Sequence, residues 1–252
     1  MVVLSKYELL PLEKEANVII LAGPYGSGKT EIAINRAFAA KKHGFSAIAD
    51  LDIVNPYFRS REFRETFEKE GIKLIAPRGN LAQADLPAIS SDLQNTILMR
   101  KGKVIIDVGG DPAGAKLLGS FKPAIESGSY VMFLVVNPNR PFTSTPEEIE
   151  KSLKAVEEAS GLKSHGILSN PHLIEETTPE IILEGHRVVK KGAERLGLPI
   201  EALFYMPQFL GDWTPEIEGI PLVPMDRFLM PPWYEDTKRF LPYRDRRSLM
   251  ED

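Results

Sequence analysis

The sequence predicts an α/β protein of three layers, in which a mostly parallel central sheet is covered by helices on both faces. Two observations predict this class. Short apolar runs alternate with helical stretches about seven times, which is typical of parallel strands joined by crossover helices. A glycine-rich loop, residues 23–30, connects an apolar run to a helix. We predict one domain over residues 1–252, with residues 1–16 as an N-terminal arm and residues 207–252 as a loop-rich C-terminal segment.

The individual elements follow from local patterns. A glycine comes directly after several of the helical stretches, as at Gly44, Gly71 and Gly161, and glycine commonly ends helices. Pro87 and Pro146 stand in predicted first turns, where a missing N–H has no cost. The predicted strands cover residues 17–22, 46–50, 72–76, 103–108, 130–136, 166–169 and 202–206. The predicted helices cover residues 28–43, 61–70, 86–100, 113–127, 144–161 and 178–196, with a short one near residues 234–240.

The composition is that of an ordinary globular protein. Of 252 residues, 43% are hydrophobic and 26% charged, and the net charge of -4 gives no general signal for nucleic-acid binding. No apolar run approaches the roughly 20 residues that a membrane-spanning helix needs. Cysteine is absent, which excludes disulfides and thiolate metal ligands. Because residues 1–15 also lack the order of a secretion signal, we expect a cytoplasmic protein.

Residues 23–30 read GPYGSGKT, which fits the pattern G-x-x-x-x-G-K-[ST] of a phosphate-binding loop. Glycines let backbone N–H groups approach phosphate, and the helix that follows points its positive dipole end at the same anion. Lys29 is predicted to reach the β- and γ-phosphates, and Thr30 to offer its hydroxyl to Mg²⁺. The predicted nucleotide-binding residues of this stretch are Gly23, Tyr25, Gly26, Ser27, Gly28, Lys29, Thr30 and Glu31.

Acidic residues follow two of the predicted strands. Asp50 and Asp52 end the second strand, where side chains two residues apart point the same way and serve one site. We predict Asp50 as a metal ligand and Asp52 as the residue that orients the attacking water. The alternative is a solvated turn with a helix cap. Arg59 and Arg61, a little further on, are candidates for phosphate or partner contacts, or for surface salt bridges.

Asp107 ends another apolar strand and is predicted to join Thr30 and Asp50 in holding Mg²⁺. Residues 107–110 also fit D-x-x-G, in which the Gly110 amide contacts a γ-phosphate and senses it. Asp111 is a second candidate ligand or a helix cap. The predicted catalytic residues are therefore Lys29 and Asp52.

The base of the nucleotide is indicated by Asn170, which follows a late strand and whose amide suits both the donor and acceptor edges of adenine. The alternative is an Asx turn before Pro171. The guanine-reading string [NT]-K-x-D is absent. Residues 137–141, with the sequence NPNRP, fit a functional loop and a proline-stiffened turn equally well. Surface or packing roles are expected for the histidines, which lack metal-ligand spacing: His43, His165, His172 and His186.

Together these residues resemble the MinD/ParA/CobQ-type ATPases of the SIMIBI class of P-loop NTPases, over roughly residues 17–207. The resemblance implies the P-loop NTPase fold, a hydrolytic role for Asp52 and an adenine contact for Asn170. Many members carry a signature lysine where this chain has Pro24. That lysine reaches the partner's nucleotide in a dimer, so a nucleotide-dependent homodimer here needs another residue, such as Arg59. The loop also resembles that of nickel-insertion GTPases, which carry cysteine and histidine metal ligands.

We therefore predict an Mg²⁺-dependent ATP-binding protein, an ATPase that acts as a nucleotide switch on an unknown protein client. Three alternatives stay open. One is an ATP-dependent enzyme that phosphorylates a small acid, with a substrate pocket built from residues 77–86, 137–145 and 207–224. A second is a GTPase of the same class, and a third is a nucleotide-binding module without turnover.

Overall fold

The computed structural model describes residues 2–52, 63–76, 86–215, 217 and 219–229. The strands are β1 (Val2–Val3), β2 (Val18–Ala22), β3 (Phe45–Leu51), β4 (Lys73–Ile75), β5 (Gly102–Val108), β6 (Tyr130–Val136), β7 (Gly166–Ser169), β8 (Ile200–Tyr205) and β9 (Pro221–Pro224). The helices are α1 (Pro11–Glu15), α2 (Lys29–Lys41), α3 (Arg64–Lys69), α4 (Leu86–Met99), α5 (Pro112–Ser120), α6 (Lys122–Glu126), α7 (Pro146–Ser160) and α8 (Pro179–Leu196).

All the described strands form one parallel sheet in the order β1-β9-β8-β7-β6-β2-β5-β3-β4. This confirms the predicted α/β class. The strand β2 lies between β5 and β6, so both of its edges are paired, and all five of its residues are buried. The phosphate loop that follows β2 therefore leaves from the rigid centre of the sheet.

Two hydrophobic clusters cover the two faces of β2. Ile19 and Leu21 pack with apolar residues of α2 in one cluster, whereas Val18 and Ile20 pack in the other with residues that include Leu118 of α5. Successive side chains of a strand point to opposite faces, so each face receives its own cluster. Burial of these side chains fixes both the strand and the helix that begins at the loop.

The predicted helix over residues 113–127 is wrong as a single element, because the structure has two helices there. The first, α5, ends at Ser120, and α6 begins at Lys122 with Pro123 in its first turn. Proline has no N–H to bond within a continuing helix, and its ring clashes with the carbonyl four residues earlier. Pro123 therefore starts a new helix instead of extending the old one.

The strand β9 was not predicted from the sequence. It runs from Pro221 to Pro224 within the segment expected to be rich in loops. Two prolines in four residues argue against a strand, yet both stand at its ends, and Leu222 and Val223 between them are buried. The short helix expected near residues 234–240 lies outside the described residues, as do Arg59, Arg61 and most of the loop over residues 77–86.

The N-terminal segment adds to the sheet and to the core. Its strand β1 pairs with β9, and Glu13 of α1 forms a fully buried ion pair with Arg36 of α2, with distances of 3.0 and 2.5 Å. Removing one member of such a pair leaves the other charge buried without compensation, at about 3–5 kcal/mol. Among the helices described, none is both long and apolar enough to cross a membrane.

Candidate nucleotide-binding site

The carboxyl ends of the central strands bring the predicted phosphate and metal residues to one edge of the sheet. Asp107 of β5 lies opposite Leu21 of β2 on one side and opposite Asp50 of β3 on the other. On the far side of β2, Ala22 lies opposite Leu134 of β6. The phosphate loop, the two acids and the loop after β6 therefore meet at this edge, where open parallel sheets bind ligands.

The phosphate loop needs glycine at two positions for close approach. A Cβ atom on Gly23 would lie 2.5 Å from the Val135 carbonyl oxygen, and one on Gly28 would lie 2.2 Å from Asn170 Nδ2. Gly28 also has φ of 84° at the N-terminus of α2, a left-handed conformation that favours glycine. These contacts pack the loop tightly against β6 and the end of β7, so its backbone is preorganised for an anion.

Lys29 and Asp52 lie together in the interior of the site. Lys29 Nζ is 3.8 Å from Asp52 Oδ2, and both side chains are less than a tenth exposed. The sequence predicted both as catalytic residues, and the fold brings them together across α2 and the end of β3. The charged end of Lys29 therefore lies inside the site beside a carboxylate, where a lysine can meet an anion bound on the loop.

Thr30 and Asp107 form a second pair beside the first. The Thr30 hydroxyl donates to Asp107 Oδ2 at 2.6 Å, and the other carboxylate oxygen of Asp107 has no hydrogen-bond partner among the described residues. Burial raises the pKa of Asp107 to about 7, with Lys29 opposing the shift and Asp50 adding to it. Such an oxygen-rich pair with a neighbouring acid suits a hard cation such as Mg²⁺.

The remaining acids differ in role. Asp50 is buried, and its Oδ1 accepts the Asp52 backbone N–H at 3.0 Å, which fixes the turn at the end of β3. Asp111, in contrast, caps helix α5 by accepting the N–H groups of Ala113 and Gly114 at 2.6 and 3.1 Å. Of its two predicted roles, the structure thus supplies the helix cap.

Gly110 lies directly against the phosphate loop. A Cβ atom there would be 2.7 Å from the Tyr25 nitrogen and 2.9 Å from the Pro24 carbonyl carbon. The predicted sensing glycine and the loop therefore touch, and a side chain at residue 110 would push them apart. Tyr25 itself is 63% exposed at the rim of the site.

A cavity of about 470 Å³ opens beside the phosphate loop, and neither Asp52 nor Asp107 is among its lining residues. Asn170 lies in its wall, where its Nδ2 donates to the Ser27 carbonyl at 2.8 Å and its Oδ1 has no partner among the described residues. Because Nδ2 faces a carbonyl, the amide oxygen is the free acceptor. The cavity is lined by Tyr25, Gly26, Gly28, Lys29, Thr30, Glu31, Arg140, Pro141, Asn170, His172, Ile174, Met206, Met225, Arg227 and Leu229.

One wall of the cavity comes from residues 225–229 of the C-terminal segment, which form hydrogen bonds with α2. The Glu31 carboxylate accepts the backbone N–H groups of Phe228 and Leu229. Asn35 forms a two-way amide pair with the backbone of Asp226, with both distances 2.9 Å. Glu31 thus lines the cavity and also holds its wall in place, next to the phosphate loop.

Several cavity residues were not identified from the sequence. His172 was expected to pack or lie on the surface, but it lines the cavity with both ring nitrogens buried and unpartnered among the described residues. Burial lowers its pKa to about 4, with smaller effects from Arg140 and Arg227. The position of Arg140 in a proline-flanked loop after a strand was a usable signal. No sequence signal marked three other cavity residues, which follow strands at the far side of the sheet: Met206, Met225 and Arg227.

Two further histidines have packing roles. His186 Nδ1 is 3.0 Å from Ser169 Oγ in a buried pair beneath the end of β7, and its pKa is lowered by burial to about 4. His165 accepts the Met132 backbone N–H at 3.2 Å and packs edge-on against Tyr130. Neither ring lines the cavity.

No family model matches this chain, and no curated protein matches it. Solved structures do match in fold. The cell division protein FtsY from Thermotoga maritima is 18% identical with a TM-score of 0.52, covering 78% of this chain and 63% of that one. Chloroplast FtsY from Physcomitrella patens is 15% identical with a TM-score of 0.51, covering 80% of this chain and 62% of that one.

The chain therefore spans less than two thirds of the length of these structures, and at such identities the likeness concerns the fold alone. It does not distinguish the MinD/ParA subtype, which stays a prediction. The chain therefore has the predicted α/β fold, which it shares with these solved structures.

Proposed function

We propose that this chain is an Mg²⁺-dependent nucleoside triphosphatase that prefers ATP and acts as a nucleotide switch. The observation that carries the proposal is one buried cluster at the phosphate loop. In it, Lys29 lies 3.8 Å from Asp52 and Thr30 donates to Asp107 at 2.6 Å. A lysine, a hydroxyl and two separate acids around a glycine-rich loop are the parts that phosphoryl transfer to water requires.

The residues present suit a magnesium ion. Thr30 and Asp107 would hold it, with Asp50 as the neighbouring acid on the next strand. The unpartnered buried oxygen of Asp107 supports this assignment, since a buried carboxylate oxygen normally has a hydrogen bond or an ion. When bound, Mg²⁺ would neutralise charge on the phosphate oxygens.

The chain's own groups would carry the rest of the reaction. Lys29 and the backbone N–H groups of the loop would stabilise charge on the β- and γ-phosphates. Asp52 would accept a hydrogen bond from the attacking water and so orient it. Asp52 is suited to that role because it is buried beside Lys29, on the side of the loop that faces Asp107.

The switch would act through the strand-end loops. Gly110 already touches the backbone of residues 24 and 25, so a γ-phosphate on the loop would be sensed by residues 108–114. The other loop expected to switch, residues 52–61, lies outside the described residues apart from Asp52. A protein client, a nucleotide-dependent homodimer and a cytoplasmic location stay predictions.

Asn170 supports the preference for ATP. Its amide oxygen is an acceptor without a partner among the described residues, and the exocyclic amine of adenine is a donor, whereas guanine presents a carbonyl at the same position. The acid that closes [NT]-K-x-D and reads guanine has no counterpart here, because Leu173 stands three residues after Asn170.

A calorimetric titration with ATP and with GTP, each in the presence of Mg²⁺ and then of EDTA, tests the proposal. We expect tighter binding of ATP, and weaker binding of both nucleotides without Mg²⁺. Tighter binding of GTP would reassign the base, and no binding of either nucleotide would remove the proposed function. Adding candidate small acids to a phosphate-release assay then separates a hydrolase from the small-acid kinase that the sequence left open.

A further inference from the structure

The loop after β6 is attached directly to the phosphate loop. Asn137 is fully buried, and its side-chain amide donates to the carbonyl oxygens of Gly26 at 3.2 Å and His172 at 3.1 Å. The Arg140 backbone N–H donates to the Asn137 carbonyl at 3.2 Å, and the Thr143 hydroxyl donates to the same oxygen at 2.8 Å. Asn137 therefore sets the position of Arg140 relative to the phosphate loop.

The side chain of Arg140 lies across Gly26. A Cβ atom on Gly26 would be 3.1 Å from Arg140 Cγ, 3.2 Å from Cδ and 3.5 Å from Nε. The missing side chain at residue 26 thus leaves the space that the arginine stem occupies. Arg140 lines the same cavity as Gly28 and Lys29.

The charge of Arg140 has no counterion in the described part of the chain. None of the described carboxylates pairs with its guanidinium, and its Nε is buried without a hydrogen-bond partner. Arg227, the other arginine of the cavity, differs because it pairs with Glu175. A guanidinium stays charged at all ordinary pH values, and an unpaired charge in a partly buried site favours an anion.

The position of Arg140 indicates which part of the nucleotide it meets. It lines the cavity together with Asn170 at one end and with Lys29, the partner of Asp52, at the other. In the proposed function the γ-phosphate lies beside Asp52 and Asp107, and the base lies beside Asn170. The α- and β-phosphates would then lie between them, next to Gly26, which the Arg140 side chain crosses.

We propose that Arg140 is a phosphate-binding residue, whose guanidinium contacts the α- and β-phosphates of the nucleotide bound in the same chain. The assignment rests on the proposed function and deepens it. It supplies, from a neighbouring loop, a positive charge beside Gly26, two residues after Pro24, the position at which many of the ATPases that this chain resembles carry a signature lysine. Unlike that lysine, Arg140 would act within one chain and need no dimer.

Calorimetry with ADP and with the non-hydrolysable analogue AMP-PNP, both with Mg²⁺, tests the assignment. Arg140→Ala should lower the affinity for both nucleotides equally, by about 10- to 100-fold, which is the range for loss of a charge-assisted hydrogen bond. Arg140→Lys should restore part of the affinity, because it keeps the charge without the planar fork. Arg195→Ala is the matched control: it removes an arginine that pairs with Glu147 and Glu150 on the surface, and it should bind like the wild type.

The outcomes separate the assignment from the function beneath it. If the wild type binds both nucleotides and Arg140→Ala binds them with an affinity within twofold of the wild type, the assignment is overturned. The proposed function is then unaffected. A loss confined to AMP-PNP would also overturn it, by moving Arg140 to the γ-phosphate. Failure of the wild type to bind either nucleotide would instead contradict the proposed function. If Arg140→Ala does not fold, the comparison of Arg140→Lys with Arg140→Gln, which differ in charge, gives the same test.

Discussion

The two ends of the nucleotide site are built in different ways. At the phosphate end, residues 23–30 are contiguous, and the acids Asp52 and Asp107 lie at the carboxyl ends of strands β3 and β5, close to β2. At the base end, the wall comes from residues 225–229, which contact Glu31 and Asn35 almost 200 residues earlier in the chain. The phosphate end is thus set by a local motif, and the base end by the packing of the C-terminal segment. The following predictions, from largest to smallest effect, test that contrast.

Lys29→Ala should give the largest loss, because it removes the charge that faces the phosphates while leaving the base end intact. We expect turnover to fall by about 1,000-fold, the upper range for removing one preorganised donor. Phosphate release measures this loss. Lys154→Ala removes an exposed lysine of α7 and serves as control. If the turnover of Lys29→Ala stays within tenfold of the wild type, Lys29 does not stabilise the phosphates as proposed.

Asp52→Ala should slow hydrolysis by about 100-fold, since positioned proton acceptors contribute that much or more. Nucleotide affinity should change far less, because Asp52 would contact water and not the nucleotide. Single-turnover hydrolysis and calorimetry measure the two quantities separately. The exposed Asp212→Ala is the control. Equal rates in Asp52→Ala and the wild type would favour a binding module without turnover.

Acid should weaken the base end through His172. Burial lowers its folded pKa to about 4 from 6.5, so the unfolded chain binds more protons between these values and stability falls as the pH drops through that window. Between pH 7 and pH 5 we expect the free energy of unfolding to drop by about 2 kcal/mol more in the wild type than in His172→Gln. Urea unfolding at both pH values measures this difference, with the exposed His43→Gln as control. The same drop in His172→Gln would contradict a buried neutral imidazole.

Glu31→Gln should loosen the C-terminal wall without touching the phosphate end. The substitution removes the charge from an acceptor that holds two backbone N–H groups, Phe228 and Leu229. We expect ATP to bind about tenfold more weakly, because one charge-assisted hydrogen bond becomes a neutral one. Glu158→Gln on the exposed face of α7 is the control. Unchanged affinity would show that the wall contributes little to binding.

Asn170→Ala should have the smallest effect and the most selective one. We expect ATP affinity to fall by about fivefold, the loss of one neutral hydrogen bond, with a smaller loss for GTP. Competition between the two nucleotides measures the ratio. Equal losses would show that Asn170 supports the loop through its bond to Ser27 and does not read the base.

The sequence predicted the phosphate end because its physics is local. Glycine spacing, a lysine, a hydroxyl and acids at strand ends determine where Lys29, Thr30 and Asp107 lie once the strands are parallel neighbours. The same reasoning missed β9, because Pro221 and Pro224 argue against a strand unless they stand at its ends. It also missed the helix break at Pro123.

The base end was less predictable for a different reason. His172 and Arg227 become cavity residues only through packing of segments far apart in the chain, and no spacing rule reports such contacts. Arg140 lies between these cases. Its loop was recognised as a candidate, but only the contact with Gly26 shows that its side chain reaches the phosphate loop.

Phosphate release from Mg²⁺ and ATP by the purified chain, with no added acceptor, tests the central claim most directly. The account predicts release that stops when EDTA removes the metal and that falls in both Lys29→Ala and Asp52→Ala. Release that continues unchanged in these two variants would contradict the claim that this cluster is a hydrolytic site, as would the absence of release by a wild-type chain that binds ATP.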